Sequence, residues 1–279
     1  MKRLMISLLA ALLLFGGCNA AQTDPPTTME APTATEAPII TEALTTIKAA
    51  AQATGYQKSI PGLLAKLPEE ELYLYGILPR GALLYYQGRG TYLDWDHYSP
   101  REFYPKMAIG NYDSDATQEI AIALYNKSGT GLSGEELHIL EIRPRYSEYP
   151  SSSNEPEENA YKDSFPKDED YEAQLQALIS ASFDSAAKTL KLKVEGKAYE
   201  VDCSADFQDD WVFHGVEGYT NILSYELSDS EIWVEFGAGY FAKGSAIQNF
   251  FGTIRAKVNY QEDEGFRLSD LSFVPDKES

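Results

Sequence analysis

The sequence predicts an α+β protein that is predominantly antiparallel β and carries a few short helices. Runs such as Leu190–Val194 and Ile254–Val258 alternate apolar and basic residues, a pattern typical of strands with one buried and one wet face. Short clusters rich in glycine and proline separate such runs, as expected for hairpins. Helical spacing of apolar residues is confined to a few short segments.

The chain of 279 residues begins with a segment that does not belong to the folded body. Residues 1–17 place Lys2 and Arg3 before the apolar run Leu4–Phe15, which is too short for a permanent membrane helix. This arrangement predicts a secretory signal peptide.

The end of this segment resembles the lipobox of bacterial lipoproteins. Gly16 and Gly17 precede Cys18, although Phe15 stands where the family usually has Leu. The resemblance implies that Cys18 is lipidated and anchors the protein to the cell membrane, facing the extracytoplasmic side. In layout the whole chain also resembles uncharacterised lipoproteins of Gram-positive bacteria. An ordinary cleaved signal peptide is the alternative.

The charge of the chain argues against one class of partner, and its composition predicts a disordered segment. Without Lys2 and Arg3, 21 basic residues face 43 acidic ones, which leaves a net charge of −22. Such a field repels nucleic acid, so nucleic acid is not an expected partner, and it concentrates cations. Residues 18–44 are rich in Thr, Pro and Ala and predict a disordered tether beyond the lipidated cysteine.

Residues 45–143 form a first β-rich half. A helix is expected at Thr45–Ala53 and a helical turn at Pro61–Leu67. Alternating runs then predict strands, which are Leu72–Ile77, Ala82–Gln87, Thr91–Trp95, Met107–Ile109, Glu119–Tyr125 and Glu136–Ile142. The glycine-rich stretch from Ser128 to Glu136 predicts a long, flexible hairpin loop.

Residues 144–167 contain many acids and almost no aliphatic side chains, and predict a flexible loop. The second half, residues 168–279, opens with a helix expected at Glu169–Ser182. The expected strands are Thr189–Val194, Lys197–Cys203, Thr220–Leu227, Glu231–Phe236, Thr253–Tyr260 and Phe266–Phe273. The pattern leaves open whether the halves form one sheet system or two domains.

The stretch between the fourth and fifth expected strands concentrates oxygen-bearing side chains. They occupy every second position, at Asn111, Asp113, Asp115, Thr117 and Glu119. A hard divalent cation needs six to eight converging oxygens, and a tight loop of this kind can supply them. The stretch therefore predicts a metal site, with calcium as the candidate ion. The alternative is a polar hairpin turn in which Asp side chains cap backbone amides.

This stretch also resembles the Asp-rich calcium loops of FG-GAP and VCBS-type repeats. The resemblance implies side-chain ligands from Asn111, Asp113 and Asp115, a carbonyl ligand from Thr117 and a later acidic ligand in Glu119. Ala116 stands where the family has Gly, and a left-handed backbone there would cost about 1–2 kcal/mol. The sequence carries one such motif, so a complete propeller is not expected.

Aromatic residues are dense between positions 85 and 104, where alternation predicts that about half face the core. No zinc-site spacing links the three histidines, and His138 is expected to be a surface or hydrogen-bonded residue. We therefore expect a non-catalytic binding module for an extracellular glycan or protein. The alternative is a surface hydrolase of glycans or peptides that uses carboxylates near the aromatic cluster, such as Asp94 and Asp96.

Overall fold

The computed structural model describes residues 62–77, 80–96, 103–113, 115–142, 161–204, 213–216, 218–242 and 248–276. The predicted signal peptide (1–17), Cys18, the tether (18–44), the helix expected at 45–53 and most of the acidic segment 144–167 lie outside these ranges. Within them, no helix is long and apolar enough to cross a membrane.

The expected β-rich character is confirmed, because the described residues form three sheets and a single α-helix, α1 (Asp168–Leu178). A four-stranded antiparallel sheet contains β1 (Gly62–Leu67), β2 (Leu72–Gly76), β3 (Ala82–Tyr86) and β4 (Arg89–Leu93). A three-stranded sheet contains β9 (Ile179–Asp184), β10 (Thr189–Val194) and β11 (Lys197–Asp202).

The third sheet has nine strands and is mixed. Its members are β5 (Lys106–Gly110), β6 (Glu119–Gly129), β7 (Leu132–Ile142), β8 (Tyr161–Ser164), β12 (Phe213–Val216), β13 (Ile222–Leu227), β14 (Ile232–Ala242), β15 (Gln248–Gln261) and β16 (Gly265–Pro275). The main path runs β16-β15-β14-β13-β7-β6-β5. It therefore includes strands from both predicted halves, and β8 comes from the segment expected to be a loop.

Strand β7 is where the two halves meet. One of its edges pairs with β6 along nearly its whole length. The other edge pairs in parallel with β13 at Ser133 and Gly134, and antiparallel with β8 from Ile139 to Ile142. Between these two pairings, β8 and β13 diverge from β7.

The β6–β7 hairpin is buried on both faces. Because successive side chains of a strand point to opposite sides, Ile120 and Ile122 pack against the four-stranded sheet. Ala121 and Ala123 belong instead to the core that contains α1, the three-stranded sheet and strands β13–β16. The uninterrupted apolar run in β6 reflects this burial on both faces.

Two helix predictions are wrong in part. The helical turn expected at Pro61–Leu67 is instead strand β1, which pairs with β2 and is followed by a 3₁₀ turn at Pro68–Glu70. The helix expected at Glu169–Ser182 ends at Leu178, and its last residues belong to β9. In β9, Ile179, Ala181 and Phe183 contact the core while the residues between them are exposed. Burial therefore follows the two-residue period of a strand and not the 3.6-residue period of a helix.

The long hairpin loop expected from Ser128 to Glu136 is also wrong. Strands β6 and β7 continue to Gly129 and Leu132, which leaves only Thr130 and Gly131 in the turn. Gly131 has φ +70°, a left-handed conformation that glycine adopts at little cost. The glycines therefore shape a tight turn and not a flexible loop.

We expect Leu137→Ala to destabilise the protein by about 2–5 kcal/mol, because Leu137 is fully buried in the β6–β7 hairpin and truncation leaves a cavity. Leu132→Ala is the matched control in the same strand, since Leu132 is exposed at the turn. Urea unfolding of both variants measures the difference. Equal losses of stability would contradict the assignment of β7 to the core.

Candidate metal centre

The Asp-rich stretch closes the hairpin between β5 and β6. These strands pair from Lys106 opposite Ala123 to Gly110 opposite Glu119, so Glu119 is the first residue of β6 after the loop. The loop therefore begins and ends at one paired position of the nine-stranded sheet.

Short-range hydrogen bonds fold this loop. Asp113 Oδ1 accepts the Asp115 backbone N–H at 3.0 Å, and Asp115 Oδ1 accepts the Thr117 backbone N–H at 2.5 Å. The Thr117 hydroxyl also donates to Asp115 Oδ1 at 2.8 Å, while Asn111 Nδ2 donates to the Asp115 carbonyl at 2.7 Å. The hydrogen bonds from Thr117 lower the pKa of Asp115, so its carboxylate stays charged.

Three of the five predicted ligand residues come together. One carboxylate oxygen from each of Asp113, Asp115 and Glu119 lies within 4.8 Å of the other two. Asn111 and Thr117 lie beside this group as hydrogen-bond partners of Asp115. The backbone at Ala116 is not in the left-handed region, so the glycine of the related loops is not required here.

Glu119 is the unusual member of this group, because its side chain is 0% exposed. Its Oε2 accepts the Tyr112 backbone N–H at 2.6 Å, but its Oε1 has no hydrogen-bond partner among the described residues. Burial, with a smaller contribution from the nearby acids, raises the pKa of Glu119 to about 7, although the Tyr112 hydrogen bond opposes this rise. An oxygen of this kind lacks a cation or a proton.

The loop is also joined to the turn between β13 and β14. The Tyr112 hydroxyl donates to the Ser228 carbonyl at 2.6 Å, and burial together with Glu119 raises the pKa of Tyr112, which keeps that donor protonated. At Gly110, a Cβ would clash with the Asp229 carbonyl, so the absent side chain permits this close approach.

Two other buried polar residues of the β6–β7 hairpin have hydrogen-bond partners. Glu135 accepts hydrogen bonds from Lys106 Nζ at 2.9 Å and from the Tyr225 backbone N–H at 2.7 Å. His138 is 4% exposed, and its Nδ1 lies 3.0 Å from Asp163 Oδ1. The His138 ring stacks on Trp95 at 4.0 Å between ring centroids. The histidine is therefore a buried, hydrogen-bonded residue.

The carboxylates near the aromatic cluster have a different setting. Asp94 and Asp96 are exposed, and both form ion pairs with Arg80 Nε, at 3.0 and 3.2 Å. Of the aromatic residues, Trp95 is buried while Phe103 and Tyr104 are exposed. Because both carboxylates pair with Arg80, Asp94 and Asp96 belong to a local ion-pair group at the surface.

A cleft of about 380 Å³ lies where β8 and β13 diverge from β7. Its lining includes Glu136, Phe165 and Asp168. Asn126 donates to Glu136 and Lys127 pairs with Asp168, so these two carboxylates are already bound.

Sequence reasoning missed Glu141, which is paired with Glu119 across the two strands. The signal for it lies in the alternation of β7, because Glu141 shares a face with the core residues Leu137 and Ile139. A charged residue in the buried phase of a strand indicates a specific partner or a site.

No protein-family model matches the sequence, and no curated protein or solved structure matches it significantly. The Asp-rich loop and its neighbours are therefore interpreted from their own geometry.

Without added cations, we expect the stability of the protein to fall as pH rises from about 4.5 through about 7. The folded state holds the Glu119 proton more tightly than the unfolded state, so ionisation near pH 7 favours unfolding. Glu119→Gln removes this titration but keeps an oxygen for the Tyr112 N–H, and should flatten the fall. Thermal unfolding in EDTA at several pH values measures it, and equal pH dependence in both proteins would contradict the assignment.

Proposed function

We propose that this chain is a lipid-anchored extracytoplasmic protein that acts as a non-catalytic binding or interaction module, with a divalent cation at the β5–β6 loop. The observation that supports the cation is the buried, unpartnered Oε1 of Glu119 beside Asp113 and Asp115. A cation would neutralise three carboxylates that otherwise repel one another.

The donor chemistry favours calcium. The grouped ligand atoms are all carboxylate oxygens, and hard cations prefer oxygen whereas zinc and copper prefer nitrogen or sulfur. Asp113 and Asp115 lie on a loop, and calcium tolerates the irregular geometry of loops better than magnesium does. Asn111 and Thr117 would complete the set, Thr117 through its carbonyl.

A bound cation would stabilise a joint in the fold. Tyr112 and Gly110 connect the loop to the turn at Ser228 and Asp229, which belongs to the other predicted half of the chain. Fixing the loop would therefore hold β5 and β6 against the β13–β14 turn, and the role of the ion in this proposal is structural.

The proposed ligand is an extracellular glycan or protein. Phe103 and Tyr104 precede β5 and are 46% and 56% exposed, and the Phe103 ring stacks on Tyr125 with centroids 4.6 Å apart. An exposed, supported aromatic ring can stack on a sugar or pack against an apolar side chain. The strong negative charge makes nucleic acid an unsuitable ligand.

We also propose that the fold is of the α+β class and is not a complete propeller. α1, packed into the main core through Tyr171 and Leu175, supports the α+β class. A single Asp-rich motif in the sequence supports a fold other than a complete propeller.

We expect calcium to raise the thermal midpoint of the wild-type protein and to release or absorb measurable heat in calorimetry. The stabilisation follows RT ln(1 + [Ca²⁺]/Kd), about 2.7 kcal/mol at a hundredfold excess over Kd. Asp113→Asn with Asp115→Asn should abolish both effects, while Asp94→Asn with Asp96→Asn, the exposed control pair, should not. Absence of binding to the wild type at millimolar calcium would contradict the cation proposal.

We expect globomycin, an inhibitor of lipoprotein signal peptidase, to cause accumulation of the precursor in cells. Labelled palmitate should enter the wild-type protein and not the Cys18→Ala variant, because the thiol of Cys18 is the proposed attachment point. Cys203→Ala is the matched control and should be labelled normally, since Cys203 is a buried thiol. Normal processing in globomycin would contradict lipid anchoring and favour an ordinary signal peptide.

A further inference from the structure

Glu141 brings a fourth carboxylate to the Asp-rich group. It lies directly opposite Glu119 in the β6–β7 pair, so the two side chains share a face of the sheet. Side chains of directly opposed residues have Cβ atoms about 4.5–5.5 Å apart, and like charges at such positions destabilise a sheet. A pair of opposed glutamates in the buried part of a hairpin therefore calls for a compensating group.

The surroundings of Glu141 leave part of its carboxylate unsatisfied. The residue is 8% exposed, and its Oε1 has no hydrogen-bond partner among the described residues. Burial raises the pKa of Glu141, with Asp113 and Asp115 adding to the effect and the Tyr260 hydroxyl opposing it. The carboxylate thus lies within the field of the loop aspartates.

The cationic residue paired with Glu141 across β7 and β8 has another partner. Lys162 lies opposite Glu141 on the other side of β7, in β8, but its Nζ donates to Glu262 Oε1 at 2.7 Å. By contrast, Glu135 on the same face of the hairpin has both Lys106 and the Tyr225 N–H as partners. Two unpartnered oxygens, one on Glu119 and one on Glu141, therefore occur at a single paired position of the hairpin.

We infer that Glu141 is a positioning residue of the cation site, where it accepts a hydrogen bond from a water bound to the ion. This inference rests on the proposed cation site. A water-mediated role fits because Glu141 lies outside the group of carboxylates whose oxygens are within 4.8 Å of one another. Calcium loops commonly hold one acidic ligand through water, and outer partners of this kind affect metal affinity strongly.

The role has two consequences of opposite sign. In the presence of calcium, Glu141 adds a negative charge and a hydrogen-bond acceptor, so it strengthens binding. In the absence of calcium, it adds repulsion against Glu119, so it weakens the fold. A residue with only a structural role would affect stability in the same direction in both conditions.

The test compares the full-length wild-type protein, purified in detergent, with Glu141→Gln and with the control Glu262→Gln. Glu262 is an exposed acid that also raises the pKa of Glu141, but it is already paired with Lys162. Calorimetric titration with calcium should show affinity 10–100-fold weaker for Glu141→Gln and within about threefold of wild type for Glu262→Gln. In EDTA, Glu141→Gln should unfold at a temperature equal to or above that of the wild type.

Each other outcome overturns the inference. Unchanged calcium affinity in Glu141→Gln, with binding by the wild type, would remove Glu141 from the site and leave the proposed cation site intact. Equal weakening by Glu262→Gln would show a general field effect. Lower stability of Glu141→Gln in EDTA would show a structural role. Absence of calcium binding by the wild type would overturn the cation site and this inference together.

Discussion

The burial of the β6–β7 hairpin on both faces is the constraint on which the rest of the structure depends. One face contacts the four-stranded sheet and the other contacts α1, the three-stranded sheet and strands β13–β16 of the large sheet. In the buried part of this hairpin, a polar side chain costs free energy unless it has a hydrogen-bond partner or a counterion. The polar side chains of the hairpin therefore show where the fold provides hydrogen-bond partners and where it does not.

Towards the turn and at the centre of the hairpin, the partners come from distant parts of the chain. Glu135 accepts hydrogen bonds from Lys106 of β5 and from the Tyr225 backbone N–H in β13, and these bonds hold the strands together where β13 leaves β7. His138 is satisfied by Asp163 of β8, whose Oδ2 also accepts the Trp95 indole N–H at 2.8 Å. Through single side chains, these contacts join the hairpin to β5, β13 and β8. At the end of the hairpin away from its turn, only one of the two Glu119 carboxylate oxygens has a hydrogen-bond partner among the described residues.

Much of the fold follows from local pattern, and what does not follow depends on long-range pairing. The alternation in β10 and the apolar run in β6 predicted strands because the polarity of each residue matches the burial of its own position. Strands β1 and β9 were missed because their partners, β2 and β10, override a weak helical spacing.

The same distinction applies to the candidate site. The loop residues from Asn111 to Glu119 could be found from their spacing, since all lie in one short stretch. The position of Glu141 depends on the register between β6 and β7, which is set across the intervening tight turn at Gly131. The burial of Glu119 depends on packing by residues distant in sequence, such as the turn at Ser228 that Tyr112 contacts, which no local pattern specifies.

A proton and a cation would compete for the same carboxylate oxygen of Glu119. Carboxylates bind metal in their ionised form, so with the pKa of Glu119 raised to about 7, calcium at the proposed site would have to displace a proton at neutral pH or below. That displacement weakens the apparent affinity, because part of the binding free energy is used to ionise a buried acid. A site of this kind suits the proposed extracytoplasmic location, where modules bind calcium at 10⁻⁴–10⁻³ M and do not need the high affinity of cytosolic sensors. With calcium at the proposed site, the buried glutamate would make the joint between the two halves of the sheet depend on both calcium concentration and pH.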